Sequence, residues 1–295
     1  MRVLSLFDGI SCGMVALERA NIPVERYVAY EIDENAIKVS KQNYPQIEHC
    51  GDVFKAEYIE GEFDLLIGGS PCTHWSIAQK PDKREKTSSG LGWELFCQYK
   101  RALVESGCKY FLYENNASMS EGIKNEITKC LGVEPILIDS ALLSAQRRKR
   151  LYWTNIPGVV QPENKQLIVA DIVDINAQGI NYINRATFNG NQFNTKQSDD
   201  PIRVGIINKG RQGERIYSTH GKTVTMMAGA GGLGAKTGLY LIGDTVRRLT
   251  VLEAERAQTL PDNYTVGISD AQRYKAIGNG WTVDVIAHIL RGVNQ

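Results

Sequence analysis

Three short segments carry side chains that could cooperate in covalent chemistry. Gly68-Gly69-Ser70-Pro71-Cys72 sets a cysteine just past a short apolar run, and Pro71 fixes the backbone ahead of the sulfur. Tyr113-Glu114-Asn115-Asn116 puts an acid at the end of another such run. Gln146-Arg147-Arg148-Lys149-Arg150 places alternate arginines, Arg148 and Arg150, on one face of an extended segment. A thiol, a carboxyl group able to hold a proton and guanidinium donors form a coherent set for attack on an electron-poor ring.

A second set suits a nucleoside-like ligand. The first apolar run leads straight into Phe7-Asp8-Gly9-Ile10-Ser11-Cys12-Gly13. A glycine-containing turn at a strand end lets a ligand approach the backbone closely. The pattern is not G-x-G-x-x-G, so a dinucleotide is not indicated. Phe7 could stack an adenine ring, Glu31 could accept from ribose hydroxyls, and Asp52 could accept from an adenine amino group. Strand-end carboxylates commonly do no more than cap helices. Phe7 and two carboxylates in order at three successive strand ends carry more weight than any one alone.

These side chains need a scaffold, and the first half of the chain alternates two textures. Apolar runs at 3–7, 27–30, 64–67, 109–113, 134–138 and 151–154 read as strands, and 13–20, 33–44, 93–105 and 123–130 have helical spacing, Asp33 serving as a cap. Such alternation implies a mostly parallel sheet covered on both faces. From residue 160 to 240 the chain is rich in Asn, Gln, Gly and Thr, with helical character only near 168–173 and strands expected at 202–207 and 221–227. Residues 228–238 read as a Gly-rich loop, and helical period returns at 250–259 and 270–290.

Composition narrows the setting. With 295 residues, 42% hydrophobic, the chain has material for a sizeable core, which excludes a disordered protein. The 34 Lys and Arg nearly balance 33 Asp and Glu, so a uniformly basic nucleic-acid packager is excluded while a local basic groove is not. No apolar run approaches a membrane span and no signal-peptide pattern opens the chain, so a cytoplasmic location is expected. Of six cysteines, none stands in a C-x-x-C pair and only four histidines accompany them, so no metal site is expected. Five of the six fit the default of a reduced, buried, small hydrophobe.

The chain resembles the S-adenosylmethionine-dependent cytosine-5 DNA methyltransferases. The likeness covers almost all of it, in the family's motif order: FDGISCG, GGSPC, YENN, QRRKR, RRLTVLEAERAQTLPDNY and GNGWTVDVI. Details such as GGSPC and the WTV after GN lie nearer to the animal de novo branch and its phage or bacterial relatives. The resemblance implies a Rossmann-like α/β methyltransferase domain carrying a small, irregular β-containing target-recognition insert. Its expected division is 1–158 catalytic, 159–245 target recognition, and 246–295 helices returning to the catalytic domain.

By that likeness, Phe7, Asp8, Gly9, Ile10, Gly13, Glu31, Ile32, Asp52 and Pro71 would line the S-adenosylmethionine pocket, with Asn279 and Trp281 closing it. Cys72 would attack carbon 6 of a flipped-out cytosine, with Arg148 favouring its thiolate. Glu114 would meet ring nitrogen 3 and the exocyclic amine, and Arg150 the carbonyl oxygen at carbon 2. Ser76, Lys83 and Arg84 would contact double-stranded DNA from the loop after Cys72. Arg203, Lys209, Arg211, Arg215, Lys222 and Lys236, set against Glu214 alone, would do so from the insert. A short insert implies a short recognition site. The enzyme would act as a monomer on DNA, with a dimer left open, and any restriction partner would be a separate chain.

Two positions depart from the family pattern: Thr73 follows the Pro-Cys pair and Asn116 ends the Glu-Asn motif. The competing readings are a transfer-RNA methyltransferase, whose Cys-Phe-Thr signature is missing from the insert, and a non-catalytic DNA-binding relative, which would be expected to have lost one of the four catalytic candidates. A small-molecule methyltransferase accounts for the FDG turn but not for GGSPC, QRRKR or the insert.

Overall fold

A computed structural model describes residues 1–71, 74–76, 82, 84–177, 182–228, 234 and 237–294. The described chain divides into two units, one of residues 1–138, 149–161 and 286–295, the other of residues 139–148 and 162–285. This division does not follow the boundaries expected at 158 and 245. The segment joining Ile138 to Lys149, and most of the C-terminal helices, pack within the second unit.

The first unit is built on a seven-stranded sheet. Its strands are β1 (Arg2–Leu6), β2 (Arg26–Tyr30), β3 (Glu48–His49), β4 (Leu65–Gly68), β5 (Tyr110–Asn116), β6 (Ile136–Asp139) and β7 (Lys149–Thr154), in the order β3-β2-β1-β4-β5-β7-β6. The pairings β1–β2, β1–β4, β2–β3 and β4–β5 are parallel, and β5–β7 is antiparallel. Helices α1 (Cys12–Arg19), α2 (Glu34–Asn43), α3 (Leu91–Ser106) and α4 (Glu121–Leu131) connect the strands, as the alternating texture predicts. Asp33 caps α2, its side chain accepting from the amides of Asn35 and Ala36. The core under β4 and β5 is aromatic: Phe96, Tyr99 and Trp153 surround Tyr113 at ring-centroid distances of 5.3, 4.7 and 5.7 Å.

The chain runs from β1 outward to β3 and then returns to β4 on the other side of β1. In such sheets a ligand crevice opens at the carboxyl ends of the two strands where the winding reverses. The FDGISCG turn leaves β1, and residues 69–71 leave β4, at that place.

The second unit holds a five-stranded sheet in the order β12-β11-β10-β9-β8, from β8 (Thr187–Phe188), β9 (Arg203–Ile206), β10 (Arg215–Ser218), β11 (Leu239–Ile242) and β12 (Thr245–Arg248). Val204, Ile207, Ile216, Leu239 and Val246 make its small core. The strand expected at 202–207 is present as β9. The one expected at 221–227 is not: Thr223 makes a single bridge to Gln146. Residues 168–173 give one turn of 3-10 helix, Val169–Asp171. The expected helix at 270–290 is two, α6 (Asp270–Asn279) and α7 (Val283–Leu290), after α5 (Val251–Ala257). Gly280 ends α6 in extended backbone.

Candidate functional site

The turn after β1 is held by an unusual backbone. Phe7, Gly9 and Ser11 all lie in the left-handed region, at φ of 58°, 61° and 59°. For Phe7 and Ser11 this costs on the order of 1 kcal/mol each, a strain characteristic of ligand-facing turns. Asp8 repays part of it: its carboxylate accepts from Ser5 Oγ at 2.6 Å, Ser11 Oγ at 2.5 Å and Tyr27 Oη at 2.7 Å. Desolvation still pushes the Asp8 carboxyl up to about 6, the three hydroxyl donors working against that rise. Gly13 has a separate task. A Cβ there would stand 2.4 Å from Ile67 Cδ1 and 2.8 Å from Tyr27 Oη, so glycine lets α1 settle on the sheet. Ile10 is buried beside it.

Glu31, just beyond β2, joins two turns. One carboxylate oxygen accepts from the Gly9 amide at 2.8 Å, the other from the amides of Ile32 and Asp33, each at 2.8 Å. The carboxylate is thereby oriented at the strand end, and the oxygen that accepts from Gly9 retains acceptor capacity. Ile32 is 73% exposed, an apolar surface set beside a carboxylate. Asp52 follows β3 and accepts from the Phe54 amide at 3.0 Å, capping a single 3-10 turn. Half-buried Phe7, exposed Ile32 and the acids Glu31 and Asp52 at consecutive strand ends fit the donor and surface needs of a nucleoside. Pro71 is exposed after β4. Asn279 and Trp281 belong to the second unit, at and just beyond the end of α6.

The catalytic candidates Glu114 and Arg150 meet. In the β5–β7 register Asn116 opposes Arg150 and Glu114 opposes Tyr152, so Glu114 and Arg150 are diagonal neighbours on one face. Arg150 Nε lies 2.8 Å from Glu114 Oε1, with both side chains largely buried. Asn115, to which the sequence reading gave no role, faces the other way. It donates through Nδ2 to Ser70 O at 3.1 Å and to Tyr113 Oη at 3.1 Å, while Ser70 Oγ and Tyr113 Oη share a hydrogen bond of 2.6 Å. The end of β4 is thus pinned to the end of β5 just ahead of Pro71. Asn116, the departure from the family pattern, builds the following turn: it donates to Asn115 Oδ1 and accepts from the amide and hydroxyl of Ser118. Cys72 and Thr73 lie outside the described residues.

Several expected roles change. Arg148 is buried in the second unit and donates to the carbonyl oxygens of Met226, Gly278 and Gly280 at 3.1–3.2 Å. These bonds brace the 139–148 segment within that unit. Lys222 is not an open phosphate contact, because its side chain is fully buried and its ammonium donates to Ala141 O, Ser144 O and Leu167 O at 2.6, 3.2 and 2.6 Å. Asp199 stands 3.5 Å away, and burial lowers the Lys222 pKa from its ordinary value. Arg84 is engaged internally, donating to the carbonyls of Trp75 and Ser118. Ser76 is half-buried next to Trp75, while Arg203, Lys209 and Arg211 are exposed and Arg215 is half-buried in β10. Lys83 and Lys236, with most of the Gly-rich 228–234 segment, lie outside the described residues.

Motif RRLTVLEAERAQ works inside the second unit. Arg247 and Glu253 form a buried two-pronged pair at 2.7 and 2.8 Å, and Thr250 caps α5 through the Glu253 amide. Gln258 donates to Ile277 O and Gly280 O, and its oxygen accepts from Gln146 and Thr282. Among the described residues no group of His, Cys, Asp or Glu is arranged to hold a metal ion, and no helix is long and apolar enough to cross a membrane.

Comparison with known proteins agrees with this architecture. The chain is 29% identical over 316 residues to the type II methyltransferase M.HhaI of Haemophilus parahaemolyticus, across 100% of this chain and 94% of that protein. Among solved structures, the methyltransferase EhMeth of Entamoeba histolytica superposes with a TM-score of 0.71 at 15% identity, over 99% of this chain and 97% of its own. A putative prophage-encoded DNA modification methyltransferase of E. coli gives 0.67 at 18%, over 100% and 98%. These two share the fold. The model of the C-5 cytosine-specific DNA methylases matches residues 1–295, and with the M.HhaI likeness it makes this chain a member of that family, a DNA cytosine-5 methyltransferase.

Proposed function

We propose that Cys72, Glu114 and Arg150 carry the methylation of carbon 5 of cytosine in a short duplex DNA site, with S-adenosylmethionine as donor. The observation that carries this assignment is the Glu114–Arg150 pair. Its acceptor and donor head groups, 2.8 Å apart on one sheet face, match the neighbouring amine, ring nitrogen and carbonyl on one edge of cytosine. Phe7, Ile32, Glu31 and Asp52 would hold the adenosine part of the donor. When bound, S-adenosylmethionine supplies an electrophilic methyl group.

The Cys72 sulfur adds to carbon 6, forming an S–C6 bond and moving the ring's electrons toward carbon 5 and nitrogen 3. Glu114 holds a proton at nitrogen 3, and Arg150 donates to the carbonyl oxygen, so the charge pushed into the ring is met. After carbon 5 is methylated, loss of its proton to a base returns the electrons and breaks the S–C6 bond, releasing Cys72. A base within a duplex is closed to such attack, so the cytosine must be flipped out, as for DNA methyltransferases generally, at a few kcal/mol of unstacking. Exposed Arg203, Lys209 and Arg211 in the second unit supply phosphate contacts that offset this. We place the enzyme in the cytoplasm of a bacterial or phage-infected cell, acting as a monomer on DNA.

Tritiated S-adenosylmethionine should label cytosine in DNA, and Cys72→Ala should abolish labelling. Transfer to transfer RNA with none to DNA would sink the assignment. DNA containing 5-fluorocytosine should trap a covalent adduct, and an adduct that persists in Cys72→Ser would name another nucleophile.

A further inference from the structure

Glu85, outside every motif, sits at the centre of a compact polar contact. Its carboxylate accepts from Trp75 Nε1 at 3.2 Å and from the Gly92 amide at 3.2 Å, and lies 3.2 Å from His74 Nδ1. Its own amide donates to His74 O at 2.9 Å. Arg84 adds a donor to Trp75 O and a second to Ser118 O, in the turn after β5.

The surroundings are shaped for this carboxylate. A Cβ on Gly92 would stand 2.7 Å from Glu85 Oε2 and 2.8 Å from Trp75 Nε1, and one on Gly90, already at φ +84°, 2.7 Å from Glu85 Oε1. Both glycines open the first turn of α3 to it, and the sixteen-residue helix favours a negative charge at that end. Trp75 is fully buried in the core that also holds Phe96, Tyr99 and Tyr113. Its indole N–H needs an acceptor there, and Glu85 provides it.

In sequence, Cys72 stands between two anchors. Ser70 is pinned to Tyr113 and Asn115 on one side, and Trp75 to Glu85 on the other. The geometry points to Glu85 as a positioning residue for the nucleophile: it joins Trp75, three residues past Cys72 in sequence, to the start of α3. This rests on Cys72 being the nucleophile. A displacement of about 1 Å at a reacting atom can lower a rate a hundredfold without touching ligand affinity.

The test measures single-turnover adduct formation on 5-fluorocytosine DNA with S-adenosylmethionine. In parallel it measures binding of S-adenosylhomocysteine by calorimetry and of unmodified DNA by anisotropy. Glu85→Ala should slow adduct formation at least tenfold while both affinities stay within twofold, and Glu85→Gln, which keeps an acceptor, should recover most of the rate. Trp75→Phe, which keeps the ring and removes the donor, should slow it less than Glu85→Ala. An unchanged rate in Glu85→Ala overturns the inference alone. Loss of both affinities together with the rate makes Glu85 merely structural and also overturns it. A wild-type protein that forms no adduct, or an adduct that survives in Cys72→Ser, overturns the nucleophile assignment and the positioning role with it.

Discussion

Asp8 illustrates how a single carboxylate can serve a turn at a cost to the fold. Its three hydroxyl donors organise the left-handed stretch from Phe7 to Ser11, yet desolvation lifts its pKa from 3.8 to about 6. A carboxyl whose pKa is raised on folding holds its proton more tightly in the native state. Its contribution is therefore complete below the ordinary value and is lost as pH rises through about 6. Linkage caps the loss at about 3 kcal/mol, and the residue's partial exposure brings the expected figure to about 1–2 kcal/mol. Asp8→Asn keeps an acceptor and removes the titration. The stability of Asp8→Asn minus that of the parent should rise between pH 4 and pH 7 in urea melts. Parallel profiles would show that Asp8 ionises as freely in the fold as out of it.

At the scale of elements, packing between α1 and the sheet depends on one missing side chain. Gly13→Ala drives a Cβ into Ile67 Cδ1 and the Tyr27 hydroxyl that serves Asp8. Overpacking of this kind costs about 1–3 kcal/mol. Because Tyr27 must move, the variant should also weaken S-adenosylhomocysteine binding, which calorimetry would register; lost stability with unchanged binding would separate the turn from the pocket. Elements like these were legible in sequence because their signals are local: alternating apolar runs, Asp33 before α2, glycine after β1. The pairing of Glu114 with Arg150 was half legible, since alternation places each on a face but says nothing of the register between β5 and β7. Lys222 was misread for a physical reason. A cation looks the same in sequence whether it meets a phosphate or gathers buried carbonyls, and only tertiary burial tells them apart. Glu85 gave no signal, because its partners are an indole, an imidazole and a helix-terminal amide brought together by folding. The strand expected at 221–227 failed because its backbone bonds go to segment 139–148 and to side chains, as in the Met226 amide donating to Gln146 Oε1.

At the scale of the whole molecule, a net charge of +1 hides two kinds of basic residue. Arg203, Lys209 and Arg211 are exposed in the second unit, where each can displace a counterion from a phosphate. Lys222 is buried against three carbonyls in the same unit and cannot. Salt dependence distinguishes them, because the slope of log K against log salt falls by about 0.9 for each phosphate contact removed from duplex DNA. Replacing Arg203, Lys209 and Arg211 together by Gln should flatten the slope by about 2–3, with little change in thermal stability, since exposed charges contribute little to the fold. Lys222→Met should do the reverse. It leaves three carbonyls without a donor in a dry interior, at about 2–4 kcal/mol, and leaves the slope alone. Fluorescence anisotropy from 50 to 200 mM salt, paired with thermal melts of each variant, measures both quantities. A flattened slope in Lys222→Met would mean that the buried ammonium reaches DNA after a rearrangement of the unit. An unchanged slope in the triple variant would move the phosphate contacts to other residues.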